Sequence, residues 1–226
     1  MAQGLGGKAQ GKSCTTRTAG QFPHMAFMLQ DQLVIGVDEA GRGPLAGPVV
    51  AAACVLGMGA PQGLDDSKKL SPKKRARLES LIQQSCRWAL GVVEAEEIDR
   101  INIFAATMLA MTRAVGALVA ELGCDPAQVL IDGNMTPQGR VPEWRWPARA
   151  IVGGDGLEPC ISAASILAKE HRDRLMKAAA LAHPHYGWER NMGYGTAEHM
   201  AALHLHGPTP LHRRSFAPVA QSALFD

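Results

Sequence analysis

Apolar and polar positions fall into two kinds of block along this chain. Short buried-type apolar runs at residues 34–37 and 49–56 read as strands, joined through a turn region at 41–47 into a hairpin pair. Residues 88–93 read as a third strand, and 129–131 and 150–152 as two more. Elsewhere the apolar spacing is helical. Ser71 caps a helix with Pro72 at its first position and Leu78, Leu81 and Ile82 as its apolar stripe. A long amphipathic helix runs from about Ile98 to Leu122 and stops at Gly123. Pro159 opens a further helix to about Leu181, ahead of Pro184, and Thr196 caps another that ends at Gly207. Residues 64–70 form a polar loop. Strands first, then alternating β and α units, predict an α/β fold: a mixed central sheet flanked by helices, with a helical C-terminal part.

Three of these strands end in acid. Val34-Ile35-Gly36-Val37 runs into Asp38-Glu39, the fourth strand ends at Asp132, and the fifth leads through Gly153-Gly154 to Asp155. Each acid alone suits turn chemistry. Together, at the carboxyl ends of strands in an open α/β sheet, they would repel strongly unless a cation neutralised them. Oxygen ligands without thiolates point to Mg²⁺ or Mn²⁺. The Gly41-Arg42-Gly43 turn that follows the first pair lets backbone N–H groups approach a ligand closely.

The helix after Asp155 carries Ser162, Ser165, Lys169 and Arg172 at spacings that place them on one face. Such a stripe suits a sugar–phosphate backbone. A solvated polar face, or small residues permitting close helix packing, would produce the same pattern.

Composition narrows the class. At 226 residues, 46% hydrophobic and 19% charged, the chain is an ordinary globular protein of one large or two small domains. A net charge of +2 sets up no global basic field, but Lys68, Lys69, Lys73, Lys74, Arg75 and Arg77 crowd one stretch. The five scattered cysteines never form C-x-x-C, which argues against a zinc site or a disulfide framework and for a reducing cytoplasm. No apolar run is expected to approach the ~18 residues of a membrane span, and no secretory signal is evident. His183, His185, His204 and His206 are expected at the surface. Trp144 and Trp146, among arginines, fit a core-covering loop better than base stacking.

The motifs Asp38-Glu39-Ala40-Gly41-Arg42-Gly43, Asp66-Ser67-Lys68-Lys69-Leu70, Leu130-Ile131-Asp132-Gly133-Asn134, Gly154-Asp155 through Ile161-Ser162-Ala163-Ala164-Ser165 to Lys169 and Arg172-Asp173, and His212-Arg213-Arg214-Ser215-Phe216 closely resemble the bacterial type 2 ribonucleases H, ribonuclease HII. The likeness runs from about Val34 to Val219. It implies a ribonuclease H-like fold and cleavage of RNA in RNA/DNA hybrid duplexes and of single ribonucleotides in DNA, on their 5′ side. It also implies that Asp38, Glu39, Asp132 and Asp155 are the catalytic, metal-binding carboxylates holding two ions. On that reading Asp38 bridges both ions, Glu39 and Asp132 complete one shell, and Asp155 serves the ion that activates water. By the same resemblance Gly41, Arg42 and Gly43 sense the ribose 2′-hydroxyl, and Tyr194 packs on the deoxyribose beyond it. Ser67, Lys68, Lys69, Ser162, Ser165, Lys169 and Arg172 complete the expected substrate contacts. Met192 and Gly153 depart from positions that are often basic in the family.

The expected organisation is a flexible tail at 1–30, a catalytic domain at 31–219 and a C-terminal tail at 220–226. The chain is expected to be monomeric and cytoplasmic, with no membrane association. The apolar end at Leu224-Phe225 leaves a sliding-clamp contact or simple packing open. The sister type, ribonuclease HIII, carries an extra N-terminal substrate-binding domain that the residues before Val34 cannot supply. A non-catalytic nucleic-acid-binding module of this fold would not need all four carboxylates.

Overall fold

A computed structural model describes residues 33–222; the expected tail at 1–30 and the clamp segment at Leu224-Phe225 lie outside them. Five strands form one mixed sheet in the order β3-β2-β1-β4-β5. β1 (Val34–Ala40) pairs antiparallel with β2 (Val49–Val55), which pairs antiparallel with β3 (Arg87–Val93). On its other side β1 runs parallel to β4 (Gln128–Asp132), which runs parallel to β5 (Ala148–Ile151). β1 is therefore central, and it continues to Ala40, so Asp38 and Glu39 stand inside a strand rather than beyond its end. β5 starts and stops earlier than expected, leaving Val152 74% exposed.

Strand alternation sorts the side chains into two layers. Ile35, Val37, Val49, Ala51 and Ala53 face α2 (Ala95–Leu122), whereas Val50, Ala52 and Cys54 face α3 (Pro159–Ala182). Trp144 and Trp146 close the first layer as buried side chains in edge contact at 5.2 Å, as the core-covering reading expected. The second layer is very close at one point. A Cβ on Gly36 would lie 2.2 Å from the Cys160 carbonyl carbon and 2.5 Å from Ile161 N, so the N-terminal turn of α3 rests directly on β1.

α1 (Pro72–Ser85) is capped by Ser71, whose hydroxyl accepts from Lys74 N–H. Its buried face differs from the expected stripe. Leu78 and Ile82 are buried but Leu81 is 39% exposed, and Arg75 and Glu79 take up the remaining contact. The reason is the neighbour: α1 meets the polar side of α3, where Arg75 pairs with Glu170 and Glu79 with Arg174. Arg75 is thus not part of a solvated basic face.

α2 begins at Ala95, and Asn102 breaks it with φ 65° and ψ 164°. Its Oδ1 accepts from Ala105 N–H at 3.0 Å and restarts the helix as an N-cap would. Contrary to expectation, α2 is long and apolar enough to cross a membrane by length and composition, with a mean hydropathy of 1.8 over its richest window. That apolarity belongs to its place against β2 and β3. Gly123 ends it in the left-handed conformation. The C-terminal part comprises α4 (Trp188–Asn191), α5 (Ala197–His206), capped by Thr196, and α6 (Ala217–Ser222). His185, His204 and His206 are exposed and His183 half-buried.

The Gly36 contact generates a test. Gly36→Ala drives a methyl into the α3 backbone, an overpacking that costs about 1–3 kcal/mol or more. For a chain of this size each kcal/mol lowers Tm by about 2–4 °C. Thermal melting that matches the wild type would contradict the close approach.

Candidate active site

Parallel pairing brings the first two acids together. Val37 lies opposite Ile131, so the next residues, Asp38 and Asp132, leave adjacent strands side by side. Beyond β5 the chain turns at Gly153, with φ 68°, into a 3₁₀ turn at Gly154–Gly156 that returns Asp155 to the same place. Asp155 N–H donates to Asp132 Oδ1 at 3.3 Å. Asp38, Asp132 and Asp155 each offer an oxygen within 4.8 Å of the others.

Alternation puts Glu39 on the opposite face of β1, and it is not in that triad. Its carboxylate lies 3.5 Å from the Arg42 guanidinium. Burial raises the Asp38 carboxyl well above the ordinary carboxylate range, Glu39 and Asp132 raise it further, and the Ser165 hydroxyl works the other way. Glu39 is raised by burial, with Arg42 opposing. Asp155 is raised by burial, then by Asp132 and by Asp66, a further carboxylate beside it. Hard oxygens crowded within 4.8 Å of one another suit a divalent metal.

Asp38 and Glu39 line a cleft of about 520 Å³ whose walls include Gly41, Arg42, Gly43, Ile103 and Tyr194. Two arginines fix the first wall from behind. Arg213 donates to the carbonyls of Gly41 (2.6 Å), Arg42 (3.0 Å) and Gly47 (2.9 Å). Arg172 donates to those of Ala46 (3.0 Å), Pro48 (2.9 Å) and Met192 (2.9 Å). Both are fully buried, and burial lowers Arg172 to about 10 and Arg213 to about 9, still charged at neutral pH. In a planar trans peptide the N–H points away from the C=O. With the Gly41 and Arg42 carbonyls turned inward, the N–H groups of Arg42 and Gly43 face the opposite way, toward the cleft they line. Gly41 has φ 96°, and a Cβ there would meet Arg172 Nε at 2.0 Å, so only glycine fits.

The expected polar stripe divides. Ser165 and Lys169 line the cleft, where Ser165 donates to Ser67 at 2.9 Å and Lys169 pairs with Asp173 at 2.8 Å. Ser162 instead donates to the carbonyls of Asp155 (2.6 Å) and Glu158 (3.2 Å), bracing the turn that carries Asp155. Arg172 borders the cleft as well, with three of its five guanidinium N–H groups donating to carbonyls. On the facing loop Lys68 and Lys69 are exposed and Ser67 is buried. Buried Arg75 donates to the carbonyls of Ser67 (3.0 Å) and Leu70 (3.2 Å), and Asp66 accepts from Lys68 N–H at 2.9 Å. Tyr194 is 47% exposed, and its Cε1 lies 3.5 Å from where a Cβ on Gly43 would stand.

The Ribonuclease HII family model matches residues 35–219, which takes in every residue of this site. The chain belongs to the ribonuclease HII family. It is 74% identical over 194 residues to the Ribonuclease HII of Novosphingobium aromaticivorans, covering 85% of this chain and 99% of that one. The Ribonuclease HII of Erythrobacter litoralis is 67% identical over 192 residues, covering 85% and 91%. Among solved structures, the PCNA:RNase HII complex from Archaeoglobus fulgidus matches with TM-score 0.65 and 23% identity, covering 80% of this chain and 93% of that chain. Bst-RNase HIII in complex with Mn²⁺ matches with TM-score 0.70 and 20% identity, covering 94% and 77%. These two likenesses establish the ribonuclease H-like fold. As a ribonuclease HII, the chain is a metal-dependent endonuclease that hydrolyses RNA in RNA/DNA hybrids.

In this ribonuclease HII several positioning residues were invisible to sequence reasoning. Arg213 stood within a family motif without a role. Arg75 stood only as one charge in a basic stretch, and Ile103 owes its place in the cleft to the break at Asn102. Asp99 accepts from Arg214 and Ser215 N–H at 2.8 and 2.9 Å and so holds the segment carrying Arg213.

The electrostatics predict opposite effects of one substitution. The Asp38 carboxyl is harder to ionise in the folded chain than in the unfolded one, so at pH 7 its charge disfavours the metal-free fold. Asp38→Asn should therefore raise the melting temperature of metal-free protein. It should also remove most of the further rise on adding Mg²⁺ or Mn²⁺ and cut cleavage below about a tenth of the wild-type rate, ~1.4 kcal/mol in barrier. A lower metal-free Tm together with retained cleavage would contradict the assignment.

Proposed function

We propose that Asp38, Glu39, Asp132 and Asp155 hold two divalent cations, Mg²⁺ or Mn²⁺, over which the scissile phosphate of a ribonucleotide is placed. The observation that carries this reading is the convergence of three aspartates from β1, β4 and the turn after β5 within 4.8 Å of one another, with Asp38 opening onto the cleft. Such ions, when bound, supply an activated water and neutralise charge on the transferring phosphoryl group. The chain's part is to hold them with carboxylates and to orient the nucleic acid. Glu39 reaches the site from the other face of β1, balanced by Arg42. Cleavage on the 5′ side of a ribonucleotide, leaving a 3′-hydroxyl and a 5′-phosphate, follows from the family resemblance.

Substrate selection lies in the walls. The N–H groups of Arg42 and Gly43 donate to the ribose 2′-hydroxyl, which can accept as well as donate. Tyr194, an exposed flat ring across from Gly43, packs against the bare C2′ of the next deoxyribose. An added hydroxyl there would be crowded or desolvated. Lys68 and Lys69, on a loop pinned from below by Arg75 and Ser165, contact phosphate, as do Ser67, Ser165 and Lys169 at the cleft margin. Ser162 and Arg172 act through the backbone they hold. Single ribonucleotides in duplex DNA are therefore substrates alongside RNA/DNA hybrids, in a catalytic domain at 31–219. The enzyme works as a cytoplasmic monomer, a reading that rests on five cysteines scattered without C-x-x-C spacing. A sliding-clamp contact through Leu224-Phe225 is supported by the archaeal PCNA complex.

Two experiments test the walls. Lys68→Ala and Lys69→Ala should weaken binding to all duplexes alike, and each phosphate left without its lysine should reduce the log–log salt slope by about 0.9 on B-form DNA. An unchanged slope, or weakening confined to one sequence, would argue against phosphate binding by this loop. Tyr194→Ala should slow single-turnover cleavage at an isolated ribonucleotide far more than it weakens binding. Misplacing the reacting atoms by about 1 Å can cost on the order of a hundredfold. Equal losses in rate and affinity on one-ribonucleotide and all-RNA/DNA substrates would reduce Tyr194 to a general binding residue.

A further inference from the structure

We infer that the buried dipeptide His212-Arg213 is a brace that holds the two walls of the cleft at a fixed spacing. It thereby acts as a positioning element for recognition of the ribose–deoxyribose junction. The inference rests on the roles proposed above for the Gly41–Gly43 backbone and Tyr194.

Consecutive residues reach opposite walls. Arg213 holds the carbonyls of Gly41 and Arg42 at 2.6 and 3.0 Å, which orients the N–H groups that read the 2′-hydroxyl. His212 reaches the other wall through one intermediary. Its Nε2 lies 3.0 Å from Nε2 of His199, whose Nδ1 lies 2.9 Å from the Tyr194 carbonyl oxygen. His199 and His212 are 0% and 1% exposed, and neither lines the cleft.

The donors around them assign the protons. An indole N–H can only donate, and Trp188 Nε1 lies 3.1 Å from His199 Nε2, so that nitrogen accepts and the His199 proton sits on Nδ1, directed at the Tyr194 carbonyl. A backbone N–H likewise only donates. Thr209 N–H approaches His212 Nδ1 at 2.9 Å, which leaves the His212 proton on Nε2, directed at His199. Both imidazoles are then neutral, with the Trp188 and His212 donors sharing the one lone pair of His199 Nε2, and burial agrees by holding His212 down to about 3. The backbone carries the same link. Arg213 N–H donates to Leu45 O at 2.8 Å, and Leu45 N–H donates to Gly193 O at 2.8 Å, one residue before Tyr194. The tyrosine's ring then stands 3.5 Å from the position of a Cβ on Gly43, so a shift of either wall changes the gap directly.

The test is single-turnover cleavage and Kd, on a DNA duplex with one ribonucleotide and on a continuous RNA strand paired with DNA. The variants are Tyr194→Ala, His212→Phe, and both together. His212→Phe keeps a ring but removes the hydrogen bonds to His199 and to the N–H and hydroxyl of Thr209. It should slow cleavage at the single ribonucleotide about tenfold, leave Kd within about twofold, and affect the continuous RNA strand much less. Because His212 acts through Tyr194, the double variant should be no slower than Tyr194→Ala alone, a coupling that a merely structural defect would not show. His212→Gln keeps a side-chain N–H for His199 and should lose less than the phenylalanine. If His212→Phe does not fold, the glutamine variant carries the same double-mutant comparison. Additive losses, or equal losses on the two substrates, would overturn the brace. If Tyr194→Ala changes the ratio of rates on the two substrates and the His212 variants do not, the brace alone falls. If Tyr194→Ala leaves that ratio unchanged, the junction reading falls and the brace with it.

Discussion

Two arginines buried against backbone carbonyls organise this enzyme. Arg172 and Arg213 are fully buried, and among the described residues neither forms an ion pair. Burying a guanidinium costs several kcal/mol unless its donors are met. Here they are met by six backbone carbonyls, five of them from the segment between Gly41 and Pro48. Apart from a single bridge between Ala46 and His212, that segment has no regular secondary structure to order it. Its conformation is set by the need to satisfy two cations, and Gly41 is glycine because one of those cations passes 2.0 Å from where a Cβ would be. The amides facing the cleft are a consequence of the carbonyls facing away from it. The same charges lie behind a cleft that must admit a polyanion, so the scaffold and the attraction of substrate have one source.

Across the floor the sign is reversed. Asp38, Asp132 and Asp155 are brought together by strand register and by a turn, and their mutual repulsion outweighs what the surrounding cations offset. Burial and that repulsion raise the Asp38 and Asp155 carboxyls, so the metal-free fold holds these groups at a cost that a divalent cation would remove. What keeps them in place is packing. α3 rests on β1 at Gly36, two residues before Asp38, and Ser162 ties the first turns of α3 to the carbonyl of Asp155. Repulsion among the acids is thus borne by a helix seated backbone to backbone on the strand that carries the first of them.

Much of this was legible in the sequence. The five strands, the caps at Ser71 and Thr196, the stop at Gly123 and the acids after three strands rest on local signals: alternation, turn chemistry and helix-end preference. Boundaries moved where tertiary pairing overrode them. β1 extends through Asp38 and Glu39 because β2 continues to pair with it, and α2 begins three residues early and breaks at Asn102. What could not be read was any role defined by a distant carbonyl. Arg213 meets Gly47 across 166 positions and Arg172 meets Ala46 across 126, so no periodicity or spacing marks them. A cation on a polar helix face looked like a phosphate contact. That Arg172 also holds three carbonyls is a fact of packing. Leu81 failed for the converse reason: the helix it lies on meets a polar neighbour, and an apolar stripe was not what the interface required.

The period of two along β1 supplies the last link between sequence and chemistry. Adjacent carboxylates in a strand must point to opposite faces, so Asp38-Glu39 can never act as a simple pair. Asp38 enters the α3 layer, among Ser165, Asp132 and Asp155. Glu39 enters the α2 side, where Arg42 and Ile103 line the same cleft. One strand therefore delivers a carboxylate to each side of the cleft, and the arginine of the Gly-Arg-Gly turn is placed to balance the outer one. The break at Asn102 brings Ile103 to that outer side, and the close packing at Gly36 holds the inner one. The acid pair, the glycine turn and the two helix placements are thus parts of one arrangement in which Asp38, Glu39 and the cleft-lining amides share a single strand and the loop that leaves it.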